Sequence, residues 1–250
     1  DLAFYPTEKL AGRIMGMSPG QAAVDALWQV LIPILRLDHA DPVSFWIEHG
    51  DVLAARADKL NSLRLDALHF YGPGTDLTIG LMEGSIWHGG PDRTTSGRRF
   101  SPNIPTEEVF TSPDYRRTQG RVAFTCPVFV PSVGKIIENG WLRFEKGKVA
   151  EYGATAGKDV LDVYLGMDEG ASFLGEVALV DSTSPIFASE RTFYNILFDE
   201  NAACHIALGS AYPGCLKGGS TMNEVQLRSA GSNISAVHTD FMIGSPKVQV

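Results

Sequence analysis

The chain has 250 residues, 44% of them hydrophobic and 10% aromatic, enough to bury a sizeable core without disulfides or structural metal. Its 21 Lys and Arg stand against 29 Asp and Glu, a formal charge of −8 with no basic run. Such a chain is a poor ligand for polyanions, so nucleic acid and anionic membrane are not expected partners.

The longest apolar stretch, residues 26–35, is too short to span a bilayer and contains Gln29. Cys126, Cys204 and Cys215 form no C-x-x-C pair, and an odd count suits a reducing compartment. The expectation is a soluble, cytoplasmic protein. Residue 1 is Asp, and the chain stops in Lys247-Val248-Gln249-Val250, which reads as an unfinished strand. A piece of a longer protein is expected.

The first sixty-odd residues read as helical. Ser18-Pro19 is a start signal, after which Ala23, Leu27, Val30, Leu31, Ile34 and Leu35 recur at helical spacing, with Pro33 as a kink. Asp41-Pro42 starts a second helix that runs to about Leu63. His39 and His49, beside acidic neighbours, read as solvated.

From Leu65 the texture changes. Residues 65–71 and 76–81 are strand-like and separated by Gly72-Pro73-Gly74. Further strands are expected at 86–87, 120–130, 140–144, 148–152 and 236–243, and helices at 158–165 and 189–197. The expected fold class is α+β or α/β. Residues 1–64 would be the helical remainder of an N-terminal α/β domain, and 65–250 a β-rich metal-binding catalytic domain.

Four places carry chemistry. In His238-Thr239-Asp240 a strand would put imidazole and carboxylate on one face, a geometry for two ligands on one ion or for an oriented catalytic histidine. On spacing alone a surface His–Asp pair is the commoner case. His205 lies in a small-residue, apolar run where either a ligand or a core histidine would sit; a thiolate site with Cys204 and Cys215 fits no known spacing. Alternation places Glu176 on the face of Leu174, Ala178 and Val180, so something cationic should meet it, a metal or an arginine such as Arg191. Pro105 and Pro113 bracket an extended segment in which Glu107 and Glu108 face opposite ways, one into a site and the other solvated. Together these Glu, His and Asp residues suit one or two divalent ions at a hydrolytic or oxygen-activating centre.

Residues 103–113, Glu176 within Gly-Glu-Val-Ala-Leu-Val, residues 197–213 and the run from His238 to Gly244 resemble the aminopeptidase T / aminopeptidase S family of metallopeptidases. The motifs come in that family's order and keep its steps of 29 residues from Glu176 to His205 and 7 to Tyr212. The resemblance implies metal-ligand roles for Glu176, His205, His238 and Asp240. It implies Glu108 as the first ligand, since members keep the Glu before Val or Ile. Tyr212 matches the family's active-site tyrosine, Glu107 is left as a possible general base, and His88 falls in a similar stretch without being a ligand.

The family implies a metalloaminopeptidase that releases N-terminal residues from peptides with a free N-terminus. It would use two divalent ions per subunit, Zn, Co or Mn, and metal-bound water, and would work as a homodimer. Members run to around four hundred residues, so this chain would hold only the end of their first domain and would lack their tail. The alternative is a mononuclear Fe(II) ring-cleaving dioxygenase on a related scaffold, and a third class is a non-catalytic domain with a structural metal.

Overall fold

A computed structural model describes residues 2–250. Three helices come first. α1 (Glu8–Met15) is capped by Thr7, whose side chain accepts from the Leu10 N–H, and ends at left-handed Gly16. α2 (Gln21–Ile34) starts after Gly20, two residues beyond the expected signal. Pro33 lies in its last turn, where it closes the helix instead of kinking its middle. α3 (Pro42–Leu63) begins as read: the Asp41 carboxylate accepts from the Ser44 N–H.

Two antiparallel sheets follow, built in chain order from β1 (Ala67–Gly72), β2 (Thr75–Leu81), β3 (Glu108–Thr111), β4 (Pro113–Ala123), β5 (Trp141–Glu145), β6 (Lys148–Gly153), β7 (Leu174–Val180), β8 (His205–Gly209) and β9 (His238–Met242). One sheet has the order β6-β5-β4-β2-β1 and the other β9-β8-β7-β3. α4 (Lys158–Leu165) lies where helical spacing places it. The mixture of helix and sheet agrees with the expected fold class.

Three sequence readings differ from the structure. Residues 86–87 form no strand; their neighbours Ser85 and His88 make isolated bridges to Leu216 and Phe110. The strand read across 120–130 is broken, with β4 ending at Ala123 and Val128–Val130 pairing with Lys135–Ile137. The helix read over 189–197 is a loop between single turns at Pro185–Ala188 and Ile196–Asp199. Its cause is Asp199, whose carboxylate accepts the N–H groups of Phe193 (2.7 Å) and Asn195 (3.1 Å) and so competes with helical pairing.

The main core lies between the sheets. Phe70, Ile79, Val122 and Phe144 of one sheet share it with Val177, Ile206, Leu208 and Phe241 of the other, with Leu53 and Ala57 of α3 and with Leu161 and Tyr164 of α4. A second core joins α1 and α2, through Ala11, Ile14, Leu27 and Leu31, to Ile186, Phe193 and Phe198. The β9-β8-β7-β3 sheet thus gives one face to the main core.

Candidate metal centre

Cross-strand partners share a sheet face, and alternate residues return to it. β7 pairs with β8 as Glu176↔Ala207 and Ala178↔His205, and β8 with β9 as Ala207↔Asp240 and Gly209↔His238. β7 pairs with β3 as Ala178↔Phe110 and Val180↔Glu108. One face therefore collects Glu108, Glu176, His205, His238 and Asp240, while the small Ala178 and Ala207 leave room between them. The opposite face carries Val177, Ile206 and Phe241 into the core.

Glu176 reaches this face by a device that plain alternation misses. Leu174 pairs with Leu208 and Glu176 with Ala207, so Gly175 is an extra residue, a bulge. It turns Leu174 to the core face, away from Glu176. Only glycine fits there: a Cβ would run into the carbonyl oxygens of Gly209 and Ser210.

The donor atoms converge. His205 Nε2 lies 3.1 Å from Glu108 Oε2, 3.5 Å from Glu176 Oε1 and 4.0 Å from Asp240 Oδ1. His238 Nε2 lies 3.5 Å from both Glu176 Oε2 and Asp240 Oδ1. They form two sets, Glu108–Glu176–His205 and Glu176–His238–Asp240, which share Glu176. Both imidazoles are oriented from behind by backbone carbonyls. Nδ1 of His205 donates to Ala203 O (3.1 Å) and Nδ1 of His238 to Ser210 O (2.7 Å), leaving each Nε2 aimed at carboxylates. Arg191 is exposed on the surface, and the groups that meet Glu176 are the imidazoles of His205 and His238.

The electrostatics are those of crowded, buried charge. Burial pushes the Glu108 carboxyl up, and His205 offsets this only in part. Burial also acts to raise Glu176, but His205 and His238 together hold it below the ordinary range. Burial opposes charging of the imidazoles, yet Asp240 and Glu176 lift His238 to about 11, and Glu108 and Glu176 lift His205 well above its usual value. Burial raises the Tyr212 hydroxyl, and the neighbouring carboxylates add to it. Tyr212 stands at the rim, its ring 5.1 Å from that of His238, with its N–H donating to Ser112 Oγ.

Glu107 is not brought to this cluster. Its side chain turns the other way, as an extended segment requires, but it is buried and not solvated. Arg36 Nη2 lies 3.2 Å and His49 Nε2 3.3 Å from its two oxygens, and its N–H donates to Asn201 Oδ1. That pairing leaves a general-base role without geometric support, and it also takes His49 out of solvent. The residue that sequence reasoning underused is Glu200. Burial, followed by the charges of Glu108 and Asp240, pushes its carboxyl well above the ordinary range, which places it at the cluster. The available signal was two acidic residues, Asp199 and Glu200, entering an apolar run just before His205. The thiols of Cys126, Cys204 and Cys215 are free, and Cys204 Sγ is engaged with the Val180 backbone.

Glu108 Oε2 and His205 Nε2 are buried and, despite their 3.1 Å separation, neither has a hydrogen-bond partner. Buried polar atoms are rarely left so. Ligands about 2.1 Å from a common ion lie roughly 3–3.5 Å apart, which is the spacing seen. The donors, three carboxylates and two imidazoles, are those divalent cations prefer, so the residues fit such ions. The fold and this face fit a protein that holds divalent metal.

Comparison with known proteins narrows that class. Residues 1–250 match the family described as Thermophilic metalloprotease (M29), and the chain belongs to that family. It is 48% identical over 232 residues to Aminopeptidase T of Thermus aquaticus, covering 93% of this chain and 56% of that protein. It is 43% identical to Aminopeptidase 2 of Geobacillus stearothermophilus, covering 100% of this chain and 60% of that protein. The structure of wild-type AmpT from Thermus thermophilus superposes with a TM-score of 0.88 at 41% identity, over 98% of this chain and 58% of that one. The chain thus spans under two thirds of the length of these relatives. A 2,5-dihydroxypyridine dioxygenase from Pseudomonas putida KT2440 matches at a TM-score of 0.50 and 13% identity over 80% of this chain, a likeness of fold alone. Among the described residues no helix is long and apolar enough to cross a membrane.

Proposed function

We propose that this chain carries the metal-binding part of a metalloaminopeptidase, acting on peptides with a free N-terminus. The observation that carries the reading is the pair of imidazoles. Each is turned by a backbone carbonyl so that Nε2 faces carboxylates, and one of them is buried without a hydrogen-bond partner.

Glu108, Glu176 and His205 would hold one divalent ion and Glu176, His238 and Asp240 a second, with Zn, Co and Mn as candidates. When bound, such ions supply Lewis acidity toward a water and the scissile carbonyl. The side chains do the rest. The Tyr212 hydroxyl, kept protonated by its surroundings, donates to the oxyanion that develops, a contribution of about 3 kcal/mol where such donors act. Glu200, buried beside the carboxylates of Glu108 and Asp240, would serve as the base in its ionised form, which bound cations would favour, taking a proton from water and passing it to the leaving amine. The acidic cluster favours a substrate ammonium; Asp199 does not contribute, being committed to the 193–195 loop.

The proposal includes a boundary near residue 64, a homodimer and a cytoplasmic location. A three-donor iron site would leave two of the five converging donors idle, so the dioxygenase reading is not favoured. The test uses the full-length protein, with metal per chain counted and leucyl anilide offered with Zn, Co or Mn. Hydrolysis that fails on the N-acetylated substrate is expected. Oxygen uptake with one iron per subunit, and no peptide cleavage under any metal, would overturn the reading.

A further inference from the structure

Glu108 faces two ways. One side of it belongs to the ligand cluster; the other lines a cavity of about 150 Å³ that also touches Phe110, His88, Asn103, Thr106 and Asp92. Four other cavities, beside Cys204, Arg117, Trp46 and Arg56, include no candidate ligand. A cavity of about 150 Å³ accommodates a benzene-sized group, the scale of one leucine or phenylalanine side chain.

Its walls mix apolar and polar groups. Glu108 and Phe110 are alternate residues of β3 and share its face, so the Phe110 ring stands beside the ligand carboxylate. The ring is held from two sides, by His88 (centroids 5.9 Å apart) and by Tyr212 (5.8 Å). His88 is itself held: its Nε2 donates to Gly214 O (2.9 Å), and its backbone exchanges hydrogen bonds with Phe110. Gly89 and Gly90 leave the next stretch of wall without side chains. A Cβ on Gly89 would meet Val109 Cγ1 at 2.6 Å, and one on Gly90 would collide with the Gly50 carbonyl, so packing on α3 keeps this stretch bare. Asp92 is exposed, a polar residue of the rim.

We infer that this cavity receives the side chain of the substrate's N-terminal residue, with Phe110 as the wall that sets its size preference, a reading that rests on the aminopeptidase assignment. A terminal residue whose ammonium sits in the acidic cluster has its side chain two bonds away, within reach of a cavity that shares Glu108 with that cluster. The rest of the peptide leaves past exposed Tyr212. The cavity holds one side chain of moderate size against Phe110, Pro91 and Pro102, with Asn103 and Thr106 adding polar wall, so leucyl substrates should be preferred over alanyl ones by about fivefold through their added methylenes.

The experiment takes full-length protein, metal-loaded, as wild type, Phe110→Ala (wall removed) and Thr106→Leu (cavity filled). For each, kcat/KM is measured on alanyl, leucyl and phenylalanyl anilides, together with metal content and calorimetric affinity for free alanine, leucine and phenylalanine. The phenylalanyl-to-alanyl ratio should rise at least about fivefold in Phe110→Ala and fall at least about fivefold in Thr106→Leu, with the free amino acids following the same order. Wild-type ratios in both metal-replete variants, or equal loss on all three substrates, would overturn the pocket and leave the aminopeptidase standing. A wild-type protein that cleaves no anilide under any metal would remove the aminopeptidase reading, and the pocket with it.

Discussion

In the five-stranded sheet most charged side chains lie toward water: Arg143 meets Glu145 and Glu151, His69 meets Asp76, and Arg117 of β4 reaches Asp66, while the one buried carboxylate, Asp114, is answered by Arg116. In the four-stranded sheet the charged groups are turned inward, where Glu108, Glu176, Asp240 and His205 are almost wholly buried. Each pair in the first sheet is nearly neutral on its own, and such solvated pairs contribute little. The second sheet buries three carboxylates against two imidazoles, with Glu200 close by. That is an unbalanced burial which costs several kcal/mol unless a cation answers it. The two sheets share one core, so the difference comes from which face the strand registers present, and to what.

The strongest way to break this contrast is Glu176→Gln in the full-length protein. Both ligand sets lose their shared carboxylate, so metal per chain should collapse and anilide turnover fall roughly 10³-fold or more. Elemental analysis beside a rate assay checks it. Unchanged metal content would show that the cluster is not the centre. Next comes Gly175→Ala, which forces the bulge against two carbonyl oxygens. A loss of about 2–4 kcal/mol in denaturant unfolding is expected, with weaker metal retention.

Glu107→Gln should behave otherwise. It removes charge from the Arg36–His49 pairing and should cost about 2 kcal/mol of stability while leaving metal content intact, whereas Glu108→Gln should abolish metal-dependent turnover. Equal metal loss in the two would reverse their assignment.

A pH series sharpens the same point. In the metal-free protein His238 holds its proton up to about 11, so at neutral pH an entering metal must displace it. Metal affinity should therefore rise with pH, by up to about tenfold per unit for each proton released. Calorimetry in buffers of different ionisation enthalpy counts those protons. The metal-free stability has the opposite sign: the contribution from His238 is complete below its unfolded value of 6.5 and fades as pH rises toward about 11. The smallest effect belongs to the other sheet, where Arg143→Ala should leave melting temperature and metal content unchanged within error.

Local signals proved readable where local physics decides. The Asp41-Pro42 start of α3 is a capping event among adjacent residues, and the hairpin at residues 72–75 is a turn that composition announces. The convergence of His238 and Asp240 on one face follows from period-two geometry alone, and the motif order and spacing pointed to the family. What eluded the sequence was set by distant partners. The Gly175 bulge depends on the carbonyls of Gly209 and Ser210, the burial of Glu107 on Arg36 more than seventy positions earlier, and the loop at 189–197 on where the Asp199 carboxylate points. Glu200 was legible only as one of two acidic residues, with Asp199, able to receive a substrate ammonium, because its proximity to Glu108 and Asp240 is made by folding.

The bulge at Gly175 also gives the centre a parity. β9 delivers His238 and Asp240 by alternation and the bulge sets the phase of Glu176 on β7, so a single inserted residue between Thr239 and Asp240 would send that carboxylate into the core. Two inserted residues would return a side chain to the correct face, one rung too far. Length changes are therefore confined to the connecting loops, and a chain that retains its metal must have all four strands in step. Metal retention thus acts as a checksum on the register of the whole sheet, readable in a single elemental assay.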